Sequence, residues 1–120
     1  MSDAHEHIDK LMQELRRGTI TIGALSQLDA PQYGYSLVTT LKEKGLQVEP
    51  GTLYPLLRRL EKQGFLESKW DTNETRPRKY YLLSDTGKEA LGLLLKELES
   101  IDTSMNDLIK GEMGEENGDD

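Results

Sequence analysis

One segment near the middle of the chain restricts the fold more than any other, because a leucine stripe at helical spacing is followed directly by a hairpin pattern. The leucines occupy one narrow sector when successive residues are placed about 100° apart around a helix. They are Leu53, Leu56, Leu57 and Leu60. The segment from Thr52 to Gln63 is therefore predicted to be a helix, with Thr52 as its N-cap and Pro55 in its first turn.

Helical patterns also precede this segment. Apolar residues recur at i, i+3, i+4 and i+7 over Glu6–Arg16, and a second apolar stretch covers residues 20–28. Two glycines leave the boundary between these two helices open. A third helix is predicted to begin at Tyr33–Ser36 and to end at Lys44, with Gly45 as a left-handed C-terminal cap.

Two strand-like runs follow the leucine helix, at Phe65–Asp71 and Lys79–Leu83, and a polar, turn-forming segment joins them. Ser84 is predicted to cap a long final helix. The expected fold class is therefore mainly α with a small β-hairpin (α+β), a winged helix-turn-helix with additions at both ends. Its predicted parts are an N-terminal extension helix (1–15), the winged domain (16–84), a C-terminal dimerisation helix (85–110) and a disordered acidic tail (111–120).

The charge of the chain is unevenly distributed. It is −7 overall, yet residues 51–83 carry seven basic and four acidic side chains, a local net charge of +3. A compact basic region on an acidic body can bind phosphates, while the acidic surroundings discourage unspecific binding. The charge therefore favours a nucleic-acid partner for this segment alone.

Other classes of protein are disfavoured by what the sequence lacks. The absence of cysteine excludes disulfides, thiolate zinc sites and cysteine nucleophiles. The only histidines, His5 and His7, lie in a polar N-terminal segment, and no glycine-rich phosphate loop occurs. We expect no enzyme, no cofactor and no metal site. The longest apolar run is Leu93–Leu95, so no membrane partner is expected and a soluble cytoplasmic protein is predicted.

The helix that carries the leucines has a basic opposite face. That sector holds Gly51, Pro55, Arg58 and Lys62, flanked by Tyr54 and Arg59. Small or flat groups near the N-terminal end of a recognition helix permit close approach to base edges in the major groove. The hairpin adds a basic tip with Arg76, Arg78 and Lys79, which suits a wing that grips the DNA backbone or the minor groove.

Three motifs in this order resemble the PadR family of transcriptional regulators. They are Tyr33-Gly34-Tyr35, the run from Gly51 to Leu66 and the run from Arg78 to Gly87. The resemblance implies a winged-helix fold, a homodimer, and repression of stress, detoxification or efflux genes that a small hydrophobic or aromatic effector relieves. It also implies that Tyr35 and Tyr54 bind phosphates, although each can instead be a half-buried aromatic.

A single helix after the wing resembles the short branch of the family. Some short members stack flat drugs on a tryptophan of that helix, whereas the only tryptophan here, Trp70, lies in the hairpin. The predicted partner is a pseudo-palindromic double-stranded operator. The predicted DNA contacts are Tyr35, Ser36, Thr52, Tyr54, Pro55, Arg58, Arg59, Lys62, Arg76, Arg78 and Lys79.

The last helix carries an apolar seam whose spacing alternates between three and four residues, as in a coiled coil. The seam consists of Leu91, Leu94, Leu98, Ile101, Met105 and Leu108. We expect it to pair with a second copy of the chain, and Leu11 and Leu15 to pack on the partner's last helix. Packing on the chain's own domain is the alternative.

A winged helix that binds a protein instead of DNA remains the rival interpretation. The overall acidity favours it, whereas the basic helix face next to a basic hairpin favours DNA.

Overall fold

A computed structural model describes residues 3–73 and 75–111 of the chain. In that part it contains four α-helices and three short strands, which confirms the mainly helical winged-helix prediction. In chain order these are α1 (Asp3–Ser26), β1 (Gln32–Tyr33), α2 (Gly34–Glu43), α3 (Pro50–Lys62), β2 (Leu66–Asp71), β3 (Arg78–Leu83) and α4 (Asp85–Lys110). The predicted tail lies outside the described residues from 112 onward.

The hairpin belongs to a three-stranded antiparallel sheet with the order β1-β3-β2. The β2–β3 register runs from Leu66 opposite Leu83 to Asp71 opposite Arg78, as expected for the wing. The strand β1 was not predicted, because two residues are too few to show an alternating pattern. It pairs Tyr33 with Tyr80 and so fastens the start of α2 to the stem of the hairpin.

The core lies between α2, α3, the sheet and the C-terminal half of α1. All four predicted α3 leucines are buried, and Leu53 and Leu57 are fully enclosed. Burying one leucine side chain fully contributes about 1.5–3 kcal/mol to the free energy that favours the folded state. The stripe on α3 is therefore the largest single contribution of one element to this core.

The two helices predicted before residue 28 are one continuous helix, α1, so the predicted break between them is wrong. A glycine in a helix costs only about 1 kcal/mol, which neighbouring turns offset. Gly18 lies in the helix with open space around its Cα. Gly23 instead allows close packing, because a Cβ there would lie 2.7 Å from a methyl carbon of Leu46. The predicted boundary between residues 15 and 16 falls inside α1.

The recognition-helix candidate α3 begins two residues earlier than predicted. Glu49 is its N-cap, and the carbonyl of Glu49 accepts bonds of 2.9 Å from the N–H groups of Thr52 and Leu53. Pro50 fits the first helical position because its missing N–H needs no partner there. Thr52 is therefore not the N-cap, and Pro55 lies in the helix interior instead of the first turn.

Ser84 joins three elements. Its Oγ accepts a bond of 2.9 Å from the N–H of Gly87, which confirms the predicted cap of α4. The same hydroxyl donates to the carbonyl of Gly64 at 2.7 Å, and the Ser84 N–H donates to the carbonyl of Phe65 at 3.0 Å. The end of α3, the start of β2 and the start of α4 therefore meet at one residue.

The outer halves of the two long helices carry uncovered apolar side chains. On α4, Leu91 and Leu94 pack against the core, but the apolar residues beyond them are exposed. On α1 the exposed set is Ile8, Leu11, Met12 and Leu15. Among the described residues, no helix is both long and apolar enough to cross a membrane.

Gly87→Ala is expected to destabilise the fold by about 1–3 kcal/mol, because the new methyl group would lie 2.0 Å from the carbonyl oxygen of Phe65. Gly92→Ala, on the same helix, meets nothing within 4 Å and should stabilise by about 0.5–1 kcal/mol. Urea unfolding of the two variants measures the difference. Equal stability would mean that the α4 start does not pack tightly on β2.

Candidate nucleic-acid interface

The exposed surface of α3 carries three basic side chains. Arg58, Arg59 and Lys62 are all exposed, opposite the buried leucines, as predicted. Within residues 3–73 and 75–111 none of the three forms a salt bridge. A cation without a protein partner keeps its full charge available to a ligand phosphate.

One side of α3 borders a groove formed with the start of α2 and the hairpin stem. The groove has a volume of about 270 Å³ and brings together predicted residues from three distant parts of the chain. Those predicted residues are Tyr35, Tyr54, Arg58, Arg78 and Lys79. Tyrosine hydroxyls and cations that converge at a helix N-terminus can bind phosphate oxygens.

The other side of α3 faces α1 and holds a different subset of the predicted residues. Thr52, Pro55 and Arg59 line a second groove there, together with Arg17 of α1. Sequence reasoning missed Arg17, because its position next to α3 depends on α1 being continuous. The predicted contacts of α3 thus divide between its two flanks, with Lys62 exposed at the C-terminal end.

The position of Tyr54 depends on a glycine. Tyr54 is half-buried, and its ring lies against Gly34 at the start of α2. A Cβ on Gly34 would lie 2.8 Å from the Tyr54 Cε1 atom, closer than such contacts allow. The glycine between Tyr33 and Tyr35 therefore makes room for a ring from the next helix.

Arg78 lies in an aromatic cluster at the last strand pair before the hairpin turn. Its guanidinium carbon is 4.2 Å from the Tyr33 ring centroid, and its Nη1 donates to the Tyr35 hydroxyl at 2.6 Å. The rings of Tyr33 and Tyr35 are nearly parallel, with centroids 5.9 Å apart. Tyr33 donates in turn to Asp71 Oδ2 at 2.5 Å.

The carboxylate of Asp71 completes this cluster. The hydroxyl of Tyr33, followed by the backbone N–H of Asn73, holds the pKa of Asp71 below the usual carboxyl range, and the charge of Arg78 acts in the same direction. Asp71 is opposite Arg78 in the β2–β3 register. Neither Tyr33 nor Asp71 was among the predicted DNA contacts. The usable signal was an acidic residue, Asp71, and a basic residue, Arg78, on either side of the predicted turn.

Lys79 and Ser36 are engaged within the protein. Lys79 Nζ lies 3.4 Å from Glu61 Oε1 on α3; burial alone would lower the pKa of this lysine, but Tyr81 and Glu61 together raise it. The Ser36 hydroxyl lies 3.2 Å from two acceptors in the preceding turn, Gln32 Oε1 and the carbonyl of Tyr33. In contrast, Arg76 is exposed at the hairpin turn.

The residues predicted for dimerisation fall into two groups. Leu91 and Leu94 pack partly against the core of their own chain. The remaining ones are uncovered on the surface of α1 or α4: Leu11, Leu15, Leu98, Ile101, Met105 and Leu108. Beside Leu94, an apolar cleft of about 430 Å³ separates α1, α3 and α4, with Leu25, Leu60 and Phe65 among its lining residues.

Comparisons with known proteins agree with this geometry. Residues 22–93 match the family described as the transcriptional regulator PadR-like family. The transcriptional regulator Rv3488 of Mycobacterium tuberculosis is 34% identical over 91 residues, which cover 75% of this chain and 85% of that protein. A PadR family regulator from Eggerthella lenta has 41% identity and a TM-score of 0.82 over 90% of this chain and 97% of its own. A PadR-like regulator from Bacillus cereus has 29% identity and a TM-score of 0.71, over 80% of this chain and 96% of its own.

Gly34→Ala is expected to displace the Tyr54 ring, because the added methyl group and the ring cannot occupy the same space. The NMR signals of the Tyr54 ring should shift, while those of the buried α3 leucines should change little. Gly51→Ala is the matched control, since a methyl group there meets nothing within 4 Å. Unchanged Tyr54 signals in the Gly34 variant would contradict the packing described.

Proposed function

Because the chain belongs to the PadR-like family of transcriptional regulators, we propose that it is a sequence-specific DNA-binding repressor that acts as a homodimer. One observation carries the proposal: the exposed cations of α3 have no salt-bridge partner in the described chain and lie beside a tyrosine-lined groove under the wing. The helix thus offers charge and flat donor groups on one surface, as a recognition helix requires.

The proposed docking places α3 in the major groove of DNA. Its exposed side, with Pro55 and Arg58, would face the base edges, where an arginine can bind guanine through two hydrogen bonds. Tyr35 and Tyr54 would donate to backbone phosphates on the wing side. Arg76, exposed at the hairpin turn, would contact the flanking backbone or minor groove.

The exposed apolar stripes support the homodimer. The helix α4 has 26 residues, about 39 Å, and its second half extends past the core with Ile101 and Met105 nearly half exposed. A second copy can cover both this seam and the α1 stripe that includes Leu11 and Leu15. Two α3 helices related by a twofold axis would then read half-sites about one turn of DNA apart.

The apolar cleft between α1, α3 and α4 supports regulation by a small hydrophobic or aromatic effector. Its volume of about 430 Å³ is in the range of small-molecule sites, and its lining is largely apolar. The cleft touches both the end of the recognition helix and the start of the proposed dimer helix. A ligand that prefers one arrangement of these helices would shift the population away from the DNA-binding form.

A second candidate function is a winged helix that binds a protein. The net charge of −7 favours it, because an acidic body repels DNA outside the basic patch. The two candidates differ in how binding depends on salt, since only phosphate contacts release condensed counterions.

Arg58→Ala is expected to weaken specific DNA binding by about 1–3 kcal/mol. Fluorescence anisotropy with the DNA upstream of the protein's own gene, at several salt concentrations, measures both affinity and salt slope. Lys88→Ala, an exposed lysine on α4, is the control and should bind like the wild type. No binding, or a slope near zero, would favour the protein-binding candidate; unchanged affinity of the Arg58 variant would mean that Arg58 only faces solvent.

Ile101→Asp is expected to convert the dimer into a monomer, because it places a charge in the centre of the apolar seam. Light scattering at micromolar concentration should give twice the 13.6 kDa chain mass for the wild type and a single chain mass for the variant. Thr103→Asp adds the same charge to the opposite side of α4 and should stay dimeric. A wild-type mass of one chain would refute the dimer.

A further inference from the structure

Arg78 differs from Arg76 and from the cations of α3, because the protein already uses its guanidinium. The group lies over the Tyr33 ring and 5.8 Å from the Tyr35 ring centroid, and it donates to the Tyr35 hydroxyl at 2.6 Å. Arg76, two residues earlier, is exposed and forms no salt bridge within the described residues. The two arginines of the wing therefore occupy different environments.

We propose that Arg78 is a positioning residue, which acts on DNA through Tyr35 and not as a direct phosphate ligand. In this arrangement the guanidinium holds the Tyr35 ring in place and turns its hydroxyl into a dedicated hydrogen-bond donor for one backbone phosphate. The inference rests on the proposed DNA-binding function and adds the group that orients one of its phosphate contacts.

The chemistry of the phenol supports this role. A tyrosine hydroxyl has one proton to donate and can accept at its oxygen, whereas a guanidinium only donates. Since Arg78 Nη1 donates to the Tyr35 oxygen, the Tyr35 proton cannot point back at the arginine. The proton is left for the surroundings, and the Tyr35 side chain is 53% exposed. Because the Tyr35 oxygen accepts a hydrogen bond from a cation, the Tyr35 O–H bond is more strongly polarised and the hydroxyl becomes a stronger donor.

The rest of the cluster keeps the arginine in place. Tyr33 lies under the guanidinium and is fixed by its own bond to Asp71, which is opposite Arg78 in the sheet register. The Asp71 carboxylate also offsets the charge of Arg78, so the cluster attracts a phosphate less than a lone cation would. The strand β1 brings Tyr33 and its neighbour Tyr35 to this point of the wing.

The test compares the salt dependence of DNA binding for Arg76→Ala, Arg78→Ala, Arg78→Lys and Tyr35→Phe. A direct phosphate contact contributes about 0.9 to the slope of log K against log salt, so Arg76→Ala should lower the slope by that amount per arginine removed. Arg78→Ala and Tyr35→Phe should each weaken DNA binding by roughly tenfold. In each of these two variants, the slope should fall by less than half of the decrease expected for Arg76→Ala. Arg78→Lys should behave like Arg78→Ala, because lysine lacks the planar group that stacks on tyrosine.

The double variant Arg78→Ala/Tyr35→Phe is expected to bind no more weakly than either single variant, since both remove the same contact. Additive losses, a slope change for Arg78→Ala equal to that of Arg76→Ala, or full rescue by lysine would overturn the proposal. Wild-type DNA affinity of the Tyr35→Phe variant would also overturn the proposal. This variant keeps the stacked ring, so it tests the proposal even if Arg78→Ala is poorly folded. Failure of the wild type to bind DNA would instead refute the proposed function.

Discussion

The hydrogen bonds of Ser84 hold together the parts on which the proposed function depends. One side chain caps α4 and binds the carbonyl of Gly64 at the end of α3, while its own N–H binds Phe65 at the start of β2. Gly87 lets α4 approach the backbone at Phe65 closely. These bonds join the start of α4 directly to the end of α3 and the start of β2.

Much of the fold could be predicted, because its main signals are local. The α3 leucines and the Ser84 cap were found from spacing and residue type, and the structure confirms them. The predicted start of α3 was wrong because Pro50 is well suited to the first helical position, where its missing N–H needs no partner. The helix therefore begins at Pro50, and Thr52 lies inside it instead of at the N-cap. The predicted break before residue 20 was wrong because a glycine costs a helix only about 1 kcal/mol, which is too little by itself to interrupt α1.

The candidate site was predictable only in part. The sequence indicated which cations lie on α3 and the wing, since those positions follow from helical and strand spacing. It did not indicate the bond between Arg78 and Tyr35, which depends on a two-residue strand that brings together positions 43 residues apart. Arg78 was therefore predicted as a DNA contact from its place in the wing alone, and only the structure shows its contacts with Tyr33 and Tyr35.

The division of α3 into a leucine side and an exposed basic side has an evolutionary consequence. Its inner residues form part of the buried core, whereas Arg58 and Lys62 are exposed and form no salt bridge with residues 3–73 and 75–111. Substitutions at such surface positions change stability by only about 0.5 kcal/mol. Under the proposed function, a copy that arises by gene duplication could therefore acquire a new operator preference through a few outward-facing changes, without first passing through an unstable intermediate.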